Sequence, residues 1–254
     1  MFSLEIECGA EDRDLLMAEL WERGTAGVVE LDAQRVRAFF EDAAERRTLI
    51  GLYPGAQLRE EENVDWAAHA RGLFQPIEAG RRFYLTPPWR DDPAPEGRFR
   101  IVVNPGLAFG TGAHESTQLC LEAMEDFVKP GMTVLDVGTG SGILAHAALL
   151  LGAGKAIACD TDAEAIEVAA GLGADSLRFV GSVDAVAAGC ADIVVANINP
   201  DAILPHAPAL LRARKPGGVL LASGFEGPEI ELVRAALPGA RAVRVKGSWG
   251  LIEV

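Results

Sequence analysis

The stretch Thr133-Val-Leu-Asp-Val-Gly-Thr-Gly-Ser-Gly142 constrains this chain more than any other. Residues of β character, Thr133 to Asp136, run into glycines at every second position, Gly138, Gly140 and Gly142. An apolar, Ala/Leu-rich run from Ile143 to Leu151 follows at once. That order predicts a buried parallel strand, a tight turn and a helix start. Glycines are expected in the turn because the backbone reverses sharply and a ligand lies against it, where a Cβ would intrude. The helix start offers unpaired N–H groups and a partial positive charge to a polar or anionic ligand.

The spacing discriminates between ligands. A dinucleotide fingerprint has its third glycine three residues after the second, and that position here is Ile143. Asp136, inside the strand end, is also foreign to the dinucleotide pattern. The spacing Asp-x-Gly-x-Gly-x-Gly instead resembles motif I of the class I methyltransferases, which bind S-adenosylmethionine. The next expected strand, Lys155-Ala-Ile-Ala-Cys-Asp160, ends in a carboxylate. A carboxylate there can accept both hydroxyls of a ribose. A Gly-rich turn alone serves many α/β proteins as mere structure; Asp160 tips the reading toward a cofactor.

A chain of 254 residues has room for one large or two modest domains with a substantial core. No apolar run reaches the roughly 18 residues of a membrane span. The start, Met1-Phe-Ser-Leu-Glu-Ile-Glu7, carries acids and alternation where a signal peptide would be basic. Cys8, Cys120, Cys159 and Cys190 are scattered, with no C-x-x-C pair. Free thiols in a reducing cytosol explain them better than disulfides or zinc, so a cytoplasmic protein without a metal site is expected. The net charge of −14 argues against nucleic acid, whose binders neutralise phosphates with a basic face. It favours encounter with a basic protein, although acidity also serves solubility.

Along the chain, Phe2, Leu4, Ile6 and Cys8 alternate with Glu5 and Glu7, predicting a half-buried first strand. A helix over 12–23, strands at 26–31 and 35–40, a helix over 43–52 and a weak strand near 57–59 complete a small α+β unit, residues 1–60. It shows no catalytic constellation, and recognition of the substrate is its expected task. Residues 61–98 read as a linker, with a short helix over 64–74, a strand at 82–86 and a stiff connector from Pro87 to Pro95. From residue 99 to 254, strands at 133–138, 155–160, 177–181, 191–198 and 218–224 alternate with helices. That alternation means a Rossmann-like, doubly wound parallel sheet. Two last strands, 240–246 and 249–254, are joined only by Gly247-Ser248, which forces an antiparallel hairpin. The whole resembles the seven-stranded methyltransferase fold.

Upstream lies Asn104-Pro-Gly-Leu-Ala-Phe-Gly-Thr-Gly-Ala-His-Glu-Ser-Thr117, a Gly-rich loop leading into a helix that Ser116 or Thr117 can cap. This string resembles the Pro-Gly-x-Ala-Phe-Gly-Thr-Gly-x-His-x-Thr-Thr signature of the bacterial methyltransferases that modify ribosomal protein L11. Phe83-Tyr-Leu-Thr-Pro-Pro-Trp89 and Val194-Val-Ala-Asn-Ile198 are similar to further segments of that family. The resemblance implies that Thr117, Gly138, Gly140, Asp160 and Asn197, with Thr111 and Asp136, hold S-adenosylmethionine. It implies that Phe109 and Thr111 belong to a loop closing over the cofactor, and that Asn197 and Phe109 serve catalysis. Ser116 stands where the signature has Thr, and keeps a hydroxyl. Asn197-Ile-Asn-Pro200 also half resembles the Asn-Pro-Pro-Tyr motif of amino-group methyltransferases acting on nucleic acids and glutamine.

The implied reaction is methylation of amino groups, lysine side chains or an N-terminal amine, of ribosomal protein L11. An in-line displacement needs chiefly placement of the amine. With a pKa of ~10.4, only about 0.04% of a lysine is neutral at pH 7, so an acid-poor, desolvated pocket is expected. The Asn197 carbonyl can orient the amine lone pair without carrying charge; it can equally cap a strand end. Asp201 and His114 are the nearest candidates for a base. Two other readings remain open here: a methyltransferase of another lysine-bearing protein or a small amine, and a non-catalytic module that binds adenosyl ligands.

Overall fold

The structure is a computed structural model describing residues 2–9, 16, 19–20, 23–25, 27–32, 34–40, 46–60, 75–103, 114–172 and 175–254, the side chains of 30 and 47 aside. The chain divides into two compact units, Met1–Leu73 and Phe74–Val254. The expected helix over 64–74, most of the one over 12–23, and the loop carrying Phe109 and Thr111 lie outside the described residues.

In the first unit, strands β1 (Phe2–Glu7), β2 (Gly27–Asp32), β3 (Arg35–Phe40) and β4 (Gln57–Glu60) form an antiparallel sheet in the order β2-β3-β1-β4. Helix α1 (Arg46–Leu52) precedes β4. Phe2, Leu4 and Ile6 pack with Val36, Ala38, Phe40, Leu20 and Leu49 as the period-two pattern requires. The expectation of a half-buried β1 needs correction: Ser3 and Glu5, on the other face, are buried as well. Glu5 tolerates burial because Arg35 and Arg37 meet its oxygens at 2.8 and 3.0 Å and Arg59 at 3.2 Å. The hydrogen bond from Arg37 first, then the charges of the three guanidiniums, hold its carboxyl below the ordinary range.

The second unit opens with a small sheet, β5 (Ile77–Ala79), β6 (Phe83–Thr86) and β7 (Phe99–Val102). β6 and β7 run parallel, so the Pro-rich segment after Thr86 is their crossover. Phe83, Leu85 and Ile101 enter the same core as helices α2 (Glu115–Phe127) and α3 (Ile143–Leu150). Residues read from sequence as a linker therefore contribute core side chains to this unit. β5 and β7 are too short for their period to show in the sequence.

The main sheet has seven strands in the order β10-β9-β8-β11-β12-β14-β13. These are β8 (Thr133–Val137), β9 (Lys155–Asp160), β10 (Leu177–Val180), β11 (Ala191–Asn197), β12 (Arg214–Glu226), β13 (Ala242–Lys246) and β14 (Trp249–Glu253). The first five in that order pair in parallel, and β14 joins β12 and β13 antiparallel, as the two-residue link demands. Helices α4 (Ala163–Gly171), α5 (Pro200–Ala213) and α6 (Gly227–Ala236) follow β9, β11 and β12, and a single 3-10 turn, Val183–Ala185, follows β10. Two apolar cores, one holding Leu119, Met124 and Ile143 and the other Leu210, Phe225 and Ile252, cover the sheet. Central strands such as β11, buried along almost their whole length, need cover on both sides. All four cysteines are free, two of them buried. Among the described residues no helix is long and apolar enough to cross a membrane.

Candidate active site

From β8 the chain moves outward through β9 and β10, then returns to β11 on the opposite side of β8. The carboxyl ends of β8 and β11 thus flank the point where the winding reverses, the place where open α/β sheets bind ligands. A cavity of about 470 Å³ opens there. Its wall takes Gly138 to Gly140 after β8, Asp160 at the end of β9, Ser182 and Val183 after β10, and Asn197 to Asn199 after β11. Thr117 from α2, Ala202 and His206 from α5, Gly224 from β12 and Trp249 from β14 also border it.

The turn after β8 has φ of +70°, +51° and +83° at Gly138, Gly140 and Gly142, all in the region that side chains avoid. The space argument differs from the expectation that a Cβ would block a ligand. A Cβ on Gly138 would stand 2.2 Å from Ile198 Cγ2, and one on Gly142 would stand 2.9 Å from Ala169 Cβ of α4. Neighbouring protein makes these two glycines necessary. Gly224 approaches the backbone of Ile198 as closely, so Ile198 is clasped between the two glycine turns. That fixes the direction in which Asn197, one residue earlier, leaves its strand.

Asp136 lies beneath the cavity, fully buried and outside its wall. Oδ2 accepts from Thr139 Oγ1 at 2.6 Å and from the Ala145 N–H at 3.1 Å, tying strand, turn and the first turn of α3 together. Oδ1 has no partner among the described residues. Burial pushes its carboxyl up to about 6, against the pull of those two hydrogen bonds. The sequence reading groups Asp136 with cofactor-holding residues; its contacts are those of a brace under the turn.

Asp160, in contrast, faces the cavity. Its Oδ2 accepts from the Gly140 N–H at 3.0 Å and its Oδ1 from the Asp162 N–H at 3.1 Å. Each oxygen retains acceptor capacity beyond those bonds. Across the cavity, Asn197 is largely buried, and its Nδ2 donates to Thr117 Oγ1 at 3.1 Å. Its Oδ1 has no partner among the described residues. Residues 80 apart in sequence thereby lock one amide so that a bare carbonyl oxygen remains.

Several expectations at this site change. Ser116 and Thr117 do not cap α2: His114 is the N-cap and makes no capping bond from its side chain, while both hydroxyl residues lie inside the helix. Thr117 is thereby turned toward Asn197, and Ser116 Oγ lies 2.8 Å from His114 Nδ1. His114 stacks edge-on against Trp249 with ring centres 4.2 Å apart, and neither it nor Asp201 borders the cavity. Asn199-Pro200 starts α5: the Asn199 side chain accepts from the Ala202 N–H at 2.9 Å, and Pro200 occupies the first helical position, where no N–H is needed. The half resemblance to an Asn-Pro-Pro-Tyr motif is therefore a helix-start signal. Trp249, Gly224, Ser182 and His206 border the cavity without having been singled out in the sequence. The rule that could have found most of them is positional: in a parallel sheet, residues just past the strands share one edge.

Comparison with known proteins places these features in context. Residues 52–240 match the model of the family described as ribosomal protein L11 methyltransferase (PrmA). The chain is 44% identical over 201 residues to the ribosomal protein L11 methyltransferase of Pelotomaculum thermopropionicum, covering 76% of this chain and 65% of that protein. It is 38% identical over 219 residues to the same-named protein of Symbiobacterium thermophilum, covering 85% of this chain and 71% of that one. Among solved structures, the ribosomal protein L11 methylase of Lactobacillus delbrueckii subsp. bulgaricus superposes with a TM-score of 0.65 at 33% identity, covering 71% of this chain and 97% of that one.

Proposed function

We propose, because the chain belongs to the ribosomal protein L11 methyltransferase family, that it is an S-adenosylmethionine-dependent N-methyltransferase. Its proposed acceptors are amino groups of ribosomal protein L11, lysine side chains or the N-terminal amine. One observation carries the reading: Asn197, whose buried carbonyl oxygen has no partner among the described residues, and Asp160 line one cavity from opposite sides of the switch point. The residues present fit an adenosyl ligand. Asp160 has free acceptor sites for ribose hydroxyls, and Gly138 and Gly140 present backbone without side chains to the cavity, while the Thr139 hydroxyl between them is taken up by Asp136.

Bound S-adenosylmethionine supplies a methyl group carried on a sulfonium. The chain's own contribution is placement and protonation state. Thr117 holds the Asn197 amide in one orientation, so its carbonyl oxygen accepts a hydrogen bond from the incoming amine. Because that oxygen is neutral, it does not stabilise the ammonium form as a carboxylate would. Neither Asp201 nor His114, the bases considered from the sequence, borders the cavity. Phe109 and Thr111, outside the described residues, are proposed to close over the cofactor.

The first unit is proposed to present the protein substrate, and the net charge of −14 favours a basic one. Methylation of a ribosomal component implies work in the cytoplasm. The test is mass spectrometry of ribosomal protein L11 after incubation with the protein and S-adenosylmethionine. Increments of one CH₂ on lysine or the N-terminal amine are expected. Their absence, with transfer to a nucleic acid, another protein or a small amine, would overturn the assignment.

A further inference from the structure

His206 sits on α5 one helical turn beyond Ala202, and both residues border the cavity. Its Nδ1 lies 2.8 Å from the Ala202 carbonyl oxygen and its Nε2 3.2 Å from Asp184 Oδ2. Both neighbours are acceptors. A neutral imidazole has one N–H and can satisfy one of them, whereas the imidazolium donates to both. Asp184 lies in the 3-10 turn after β10, and its Oδ2 also accepts from Ser182 Oγ at 3.0 Å. The relay His206–Asp184–Ser182 therefore stitches α5 to the turn that walls the cavity beyond β10.

That end of the cavity has a definite place relative to Asp160. Val180 pairs with Asp160 across β9 and β10, and the Gly181 N–H donates to the Asp160 carbonyl at 2.8 Å. A ribose on the Asp160 carboxylate leaves its base to lie toward Ser182 and Val183, away from Asn197. We infer that His206 is a positioning residue of this base subsite: as the imidazolium it pins the 182–184 turn against α5, and cofactor affinity weakens when it loses its proton. The inference rests on the adenosyl-ligand reading of the cavity.

Other charges near α5 are engaged elsewhere. On β12, Arg214 donates to the Val254 carbonyl and Lys215 pairs with Asp192. On α6, Arg234 meets Glu231, and Glu229 accepts from the Glu226 N–H. On α5 itself, Asp201 lies in the first turn, and Arg212 donates to the backbone carbonyls of Asp184 and Val186. Asp160 shares the cavity wall. Among the described residues, Asp184 is the carboxylate within ion-pair distance of the ring.

Calorimetric titration with S-adenosylhomocysteine from pH 6 to pH 8.5 tests this. Wild type is expected to lose affinity roughly threefold over that interval, the scale of a partly exposed ion pair. His206→Gln and Asp184→Asn should both bind at the weaker level with only the pH dependence shared by all the proteins, while His206→Arg, charged throughout, should keep the tighter level at high pH. Asp136 titrates in all four proteins, so the difference between profiles carries the result. A wild-type slope no steeper than that of His206→Gln overturns the role of His206 alone. Absence of binding at every pH overturns it together with the adenosyl-ligand reading.

Discussion

Asp136 offers a sharp test of how this site is held. It is fully buried, and burial raises its carboxyl from the ordinary 3.8 to about 6. A raised acid pKa means the folded chain holds the proton more tightly than the unfolded chain. The group's contribution is therefore intact below pH 4 and lost as pH climbs through 6. Above that, the ionised carboxylate destabilises the fold by ~3 kcal/mol, since one pKa unit corresponds to about 1.4 kcal/mol. Asp136→Asn removes the titration yet keeps an oxygen for Thr139 and Ala145. Its new amide N–H groups stand where Oδ1 has no partner among the described residues, at a cost of ~1–3 kcal/mol that does not vary with pH. The difference between two pH values cancels that cost. Urea denaturation without ligand should show the stability of Asp136→Asn relative to wild type improving by about 2 kcal/mol between pH 4.5 and pH 8, most of the full range. A relative stability constant within ~0.5 kcal/mol across that interval would refute the reasoning, because the buried carboxylate would then carry no ionisation penalty.

Further outcomes follow from the same geometry. Asp160→Asn should weaken S-adenosylhomocysteine binding by ~1.5–3 kcal/mol, the scale of hydrogen bonds to a charged group, and unchanged affinity by calorimetry would remove Asp160 from the ribose site. Asn197→Ala should reduce the single-turnover rate more than it weakens cofactor binding. Asn197→Asp should move the rise of rate with pH to higher pH, since a carboxylate favours the ammonium form; a pH–rate profile unmoved by the acid would sink that role. Gly138→Ala combines a left-handed φ with a Cβ 2.2 Å from Ile198, whereas Gly131→Ala, with φ of +83°, meets open space. The second should cost ~1–2 kcal/mol and the first clearly more, compared by denaturant midpoints at constant m-value; equal losses would show that Ile198 yields freely.

The sequence by itself determined the local and the periodic. Strand–helix alternation from Thr133 onward fixed a parallel sheet, and the Gly247-Ser248 link fixed its antiparallel end, because backbone pairing leaves a two-residue connection no other solution. The glycine spacing and Asp160 were legible because turn geometry and a strand-end carboxylate are properties of neighbours along the chain. What tertiary structure decided involves partners far apart in sequence. The small sheet adds β5 and β7, too short to show a period, to the legible β6, and the burial of Glu5 rests on arginines from two other strands. Thr117 looked like a helix cap because hydroxyl residues near a helix start usually are; the fold caps α2 at His114, three residues before Thr117, and turns Thr117 to Asn197, 80 residues on. Gly138 and Gly142 were expected to make room for a ligand, yet Ile198 and Ala169 already fill the space a Cβ would take. A one-dimensional pattern records that a position must be small; which atom forbids the larger side chain is settled only when the strands are side by side.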